Sequence, residues 1–87
     1  MRIGFSSTFR KSHRKLPAAL KRRFDERLKL FADEQFSPLL RNHALRGEYT
    51  GCRSINISGD VRAIFKMLDE DAVYFIDIGT HAQLFGT

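Results

Sequence analysis

Three histidines, at positions 13, 43 and 81, are the side chains best suited to proton transfer near neutral pH. His43 stands in Asn42-His43-Ala44-Leu45 and His81 in Gly79-Thr80-His81. The first falls in a stretch without periodicity. The second falls directly after a strongly apolar run, where a strand end can face a cleft. His13 lies in a basic segment and has no chemical partner nearby in sequence. No two histidines share a metal-ligand spacing, and Cys52 is the only cysteine, so no zinc signature and no internal disulfide exist. A P-loop, a dinucleotide fingerprint and a nucleophile-elbow serine are all absent from the sequence. The remaining polar residues near strand ends are Asp60 and Arg62, and Phe85 follows His81 by four positions. By type and place Asp60 is more often a turn former, Arg62 is by default a surface cation, and Phe85 is either a core plug or a stacking platform for a base.

The elements that position these residues centre on Arg53 to Leu68. Arg53, Ile55 and Ile57 alternate with Ser54, Asn56 and Ser58, and period two makes this a strand with an apolar and a polar face. Ser58-Gly59-Asp60 is a turn, with Gly59 able to take positive φ. The returning strand puts Val61, Ala63, Phe65 and Met67 on one side and Arg62, Ile64, Lys66 and Leu68 on the other. The product is a hairpin with an apolar back and a polar, partly cationic front. That front has two readings, a polyanion-binding surface and a solvated face.

Upstream, Arg2 to Phe5 reads as a short strand, and Ser6, Ser7 and Thr8 are helix N-cap candidates. A first helix is expected from about Thr8 to Leu16, and a second from Pro17 to about Glu34. Leu20, Phe24, Leu28 and Phe31 form an inner stripe on the second. Leu39 to Gly51 reads as irregular. Downstream, Ala72 to Ile78 is apolar on both sides and reads as a central strand, followed by a short terminal segment from His81 to Phe85. The order β-α-α-β-β-β predicts an α+β fold. In it, a small antiparallel sheet carries an N-terminal helical hairpin on one face.

Eighty-seven residues, 43% of them apolar, support one domain spanning 1–87 with a thin core. No apolar run approaches the ~18 residues of a membrane span, and the first residues lack the apolar region of a signal peptide. These features fit a cytoplasmic protein without membrane contact. Net charge is +5, concentrated between Arg10 and Lys29. That block favours an anionic partner, nucleic acid or an acidic protein, over the alternative of a basic solvated helix surface.

Three motifs in order, Asn42-His43-Ala44-Leu45-x-Gly47, then Gly51 to Lys66, then Ile78-Gly79-Thr80-His81-Ala82-Gln83-Leu84-Phe85, closely resemble the RelE/YafQ-like toxins of bacterial type II toxin–antitoxin systems. The resemblance runs along nearly the whole chain. It implies a ribosome-dependent, metal-independent mRNA endoribonuclease without a cofactor, neutralised by a cognate antitoxin and reaching operator DNA only through the antitoxin complex. It assigns catalytic roles to His43, Asp60, Arg62 and His81, and RNA binding to Phe85. Arg53, Asn56 and Lys66, on the hairpin, join Phe85 as expected RNA contacts. The YafQ-like pattern has an acid and a histidine where this chain has Ser54 and Asn56. His43 and His81 are then left to share the proton transfers. The alternative is a catalytically weak or inactive RNA- or protein-binding module of the same fold.

Overall fold

In the computed structural model, which describes residues 1–86, the fold is α+β: five strands in one sheet and three helices. The strands are β1 (Arg2–Phe5), β2 (His43–Ala44), β3 (Arg53–Ser58), β4 (Val61–Asp69) and β5 (Ala72–Thr80), and the helices are α1 (Ser7–Arg14), α2 (Ala18–Asp33) and α3 (His81–Phe85). Their order across the sheet is β1-β5-β4-β3-β2.

The sheet is mixed where an antiparallel one was expected. Three neighbouring pairs are antiparallel, but β1 runs parallel to β5, with Phe5 opposite Phe75. Between β1 and the rest of the sheet the chain makes a helical excursion, and a crossover of that kind permits parallel entry. β2 is also additional to the expected strands. It is only two residues long, with His43 opposite Ser54 and Ala44 opposite Arg53.

α1 and α2 form as their sequences dictate. Ser6 caps α1, its Oγ accepting from the Phe9 N–H at 2.9 Å. Pro17 precedes the first turn of α2, where its missing N–H costs nothing. Phe9, Phe24 and Phe31 turn inward against Ile55, Ile57, Ala63, Phe65, Val73, Phe75 and Ile78. Phe31 stacks edge-on against Phe65 at 4.9 Å between ring centroids. This one-sided core makes the sheet a rigid platform whose opposite face is available for chemistry.

That opposite face is less polar at its centre than alternation suggested. Ser54 and Ile64, expected on the polar front, are both fully buried. They face each other across β3 and β4, in one row with His43 and Asp77. On the same side Tyr49, from a 3₁₀ turn at Gly47–Tyr49, meets Phe85 of α3 edge-on at 5.8 Å. At the far end of β3, beyond the reach of β2, Arg27 of α2 donates from Nε to the Ile57 carbonyl at 3.3 Å.

Candidate active site

α3 begins at the first candidate histidine. Thr80 is its N-cap, accepting from the Gln83 N–H at 3.2 Å, while Gln83 Oε1 accepts from the Thr80 N–H at 2.8 Å. This reciprocal capping box ends β5 and starts the helix within one residue. His81 is therefore fixed at the junction. Its N–H donates to the Asp60 carbonyl at 3.2 Å, and its ring lies 4.8 Å from that of Phe85.

His43 reaches the same place from the other edge of the sheet. A 3₁₀ turn at Pro38–Leu40 ends in Arg41, a non-glycine residue in the left-handed region at φ 48°, ψ 44°. That conformation costs of order 1 kcal/mol. It directs the Arg41 carbonyl to His43, whose Nδ1–H donates to it at 2.8 Å. A carbonyl only accepts, so the neutral ring carries its proton on Nδ1 and keeps Nε2 as an acceptor. Nε2 faces Ser54 Oγ at 3.4 Å.

Between the two histidines lies a cleft of about 270 Å³, lined by His43, Leu45, Arg46, Arg62, His81 and Phe85. Two guanidiniums and two imidazoles share this small volume, with no carboxylate among the described lining residues. Such a site attracts an anion and holds it beside groups able to move protons. Arg46, which the motif leaves as an open position between Leu45 and Gly47, is the contributor that sequence reasoning missed. Its charge was visible, but only the loop path before β3 brings it to Arg62.

The other expected site residues separate. Asp60 borders the site in the β3–β4 turn and touches His81 through its backbone. Lys66 is exposed on β4, two positions beyond Ile64, and does not line the cleft. Asn56 donates from Nδ2 to the Gly59 carbonyl at 3.0 Å and lines a different hollow with Arg27, Pro38, Leu39 and Arg41. Arg53 also stays out of the cleft, its guanidinium 5.5 Å over the Phe36 ring and its Nε donating to Asn42 Oδ1 at 2.7 Å. The alternation of β3 explains this: Arg53 shares the helix-covered side with Ile55 and Ile57. Burial, with Glu48, Asp77 and Cys52 adding to it, pushes the Tyr49 hydroxyl above the ordinary tyrosine range and keeps it protonated beside Phe85. Among the described residues no group of three or more His, Cys, Asp or Glu side chains is placed to hold a metal ion, and no helix is long and apolar enough to cross a membrane.

The family described as the bacterial toxin of the type II toxin–antitoxin system, YafQ, matches residues 1–86. The chain belongs to the YafQ toxin family. Among solved structures, YafQ from E. coli strain BL21(DE3) is 26% identical, with a TM-score of 0.77 over 99% of this chain and 100% of that one. YafQ in the E. coli DinJ–YafQ toxin–antitoxin complex is also 26% identical, with a TM-score of 0.74 over 97% of this chain and 96% of that one. A YoeB/ParE toxin from Agrobacterium tumefaciens shares the fold at a TM-score of 0.78 with 14% identity, covering 93% of this chain and 99% of that one. No curated protein matches the chain. Family membership agrees with the family that the sequence motifs resemble, and the fold is the one these YafQ structures share.

Proposed function

We propose that this YafQ-family toxin is a ribosome-dependent endoribonuclease that cuts mRNA in the His43–Arg62–His81 cleft. The observation that carries the reading is the convergence of two histidines and two arginines, from separate parts of the chain, on one cleft. RNA supplies its own nucleophile. A base takes the proton from a 2′-OH, the 2′-oxygen attacks the adjacent phosphorus, and the bond to the 5′-oxygen breaks as an acid protonates it. The products are a 2′,3′-cyclic phosphate and a 5′-hydroxyl, with no metal required by the chemistry. His43, with Nε2 unprotonated in its neutral form, suits the base, and His81 the acid. Arg62 and Arg46 suit the extra charge on the pentacoordinate phosphorus. Phe85 beside His81 suits stacking of a neighbouring base.

The partner reading follows the same line. The E. coli relative is known in complex with the antitoxin DinJ. A cognate antitoxin that neutralises this chain, and carries it to operator DNA, fits the cationic surface between Arg10 and Lys29.

The test is primer extension on a translated message, with growth arrest on expression as the cellular readout. Wild-type protein should cut within the message, and His81→Ala and Arg62→Ala should each cut much less while keeping the wild-type circular dichroism. Full cleavage by a folded His81→Ala protein would refute the assignment. Ribosome and RNA binding without cleavage by the wild-type chain would favour the non-catalytic module, to which Ser54 and Asn56 give some support.

A further inference from the structure

Arg53 is the conspicuous cation that the cleft does not use. It ties three points of the preceding loop to the first residue of β3. Its guanidinium covers Phe36, its Nε holds Asn42 Oδ1, and Asn42 in turn donates from Nδ2 to the Gln35 carbonyl at 2.9 Å. Between these points the chain makes its 3₁₀ turn and enters the left-handed conformation at Arg41. The turn is closed by the Leu40 N–H on the Ser37 carbonyl at 3.0 Å, and Leu40 itself is fully buried. Arg41 is thus clamped between a buried residue on one side and Asn42 on the other.

We propose that Asn42 and Arg53 are positioning residues, acting through the Arg41 carbonyl to hold His43 as its Nδ1–H tautomer with Nε2 kept as a proton acceptor. A neutral imidazole in water favours the opposite tautomer, with the proton on Nε2. An acceptor held against Nδ1 reverses that preference, and the Arg41 carbonyl at 2.8 Å is the close one, the Ser54 hydroxyl standing farther off at 3.4 Å from Nε2. Its direction depends on ψ of Arg41. A non-glycine residue leaves the left-handed region when nothing on either side constrains it, and the carbonyl then swings off the ring. Removing Asn42 releases the loop at Gln35 and at Arg53 together. Ser54 completes the arrangement on the other nitrogen. Its hydroxyl donates to Nε2 of the neutral ring and accepts from Nε2–H of the protonated one, so the ring changes charge without turning.

The consequence for cleavage rests on the nuclease reading of the cleft; the tautomer does not. The experiment is therefore spectroscopic first. Uniformly ¹⁵N-labelled protein is studied by long-range ¹H–¹⁵N correlation of the histidine rings at alkaline pH. Wild-type His43 should show a protonated Nδ1 and a bare Nε2. In Asn42→Ala and in Arg53→Met, which keeps a long apolar side chain against Phe36, the His43 pattern should shift to the Nε2–H form or a mixture, with His13 unchanged. Arg41→Gly retains the carbonyl and accepts the left-handed backbone without strain, so it should keep the wild-type pattern. An Nε2–H His43 in the wild-type protein would overturn the proposal, and that measurement needs no variant to fold. An unshifted His43 in either folded brace variant would overturn it as well. Cleavage assays on the same proteins separate the two readings. A tautomer shift in variants of a chain that cuts no RNA upholds the brace and removes the nuclease.

Discussion

Gly79→Ala should loosen α3 and little else. A Cβ at position 79 would sit 2.8 Å from Gln83 Oε1 and 3.4 Å from Gln83 Cβ. The first distance is too short for any real contact, so the Gln83 amide must move. In moving it gives up the Thr80 N–H and breaks one half of the capping box. One such hydrogen bond contributes about 1 kcal/mol. α3 is five residues long, far too short to persist without its caps and the buried contact of Leu84. A loss of about 1 kcal/mol raises the population of the open end about fivefold. Amide exchange at Leu84 and Phe85 should then be about fivefold less protected, while Phe65 and Phe75, in the middle of the sheet, keep their protection relative to global unfolding. Cleavage should fall with it, because His81 is the first residue of this helix. Unchanged exchange at Leu84 and Phe85 would refute the argument. So would an equal loss of protection throughout the sheet.

Phe31→Ala removes a fully buried ring from between Phe65 and Phe75 and should cost about 3–5 kcal/mol, read as a lower urea midpoint. Arg46→Ala, at an exposed position, should leave thermal unfolding unchanged and lower cleavage on the order of a hundredfold, as for loss of one charge-stabilising donor; cleavage at the wild-type rate would remove Arg46 from the site. The raised Tyr49 pKa means that above pH ~10 the folded chain holds a proton the unfolded chain has lost. Stability present below that pH should therefore decline as pH rises through it, and Tyr49→Phe should flatten that part of the decline in denaturant titrations.

The hairpin was legible in the sequence because period-two alternation and a Ser-Gly-Asp turn are local signals, and β3, β4 and their turn fall where those signals place them. The inner stripe of α2 was legible for the same reason at period 3.6. β2 was not, because two residues carry no period and pair only by meeting Arg53 and Ser54 from a distance in sequence. The parallel placement of β1 depends on where the helices bring the chain back, which no local pattern states. α3 is too short for periodicity, yet Thr80-x-x-Gln83 is a capping-box signature that stood in the sequence and marks the helix start at His81. At the site, the histidines and Arg62 could be read from type and motif. Arg53 misled because charge was read without the side to which alternation assigns it. Ile64 and Ser54 misled because a polar face is buried wherever a loop and a short helix cross it.

The contact between Arg27 and the Ile57 carbonyl bears on how this chain behaves among copies of itself. β2 pairs with only the first two residues of β3, so Ile55 to Ser58 have no strand partner on that side, where the 3₁₀ turn at Pro38–Leu40 packs instead. A strand margin left bare is a template for recruiting another strand, and covering it with a loop is one way a fold prevents that. Arg27 occupies one of the acceptors such a strand would need and stands a positive charge at the approach. The guanidinium thus joins α2 to the sheet and leaves one backbone acceptor fewer for an incoming strand.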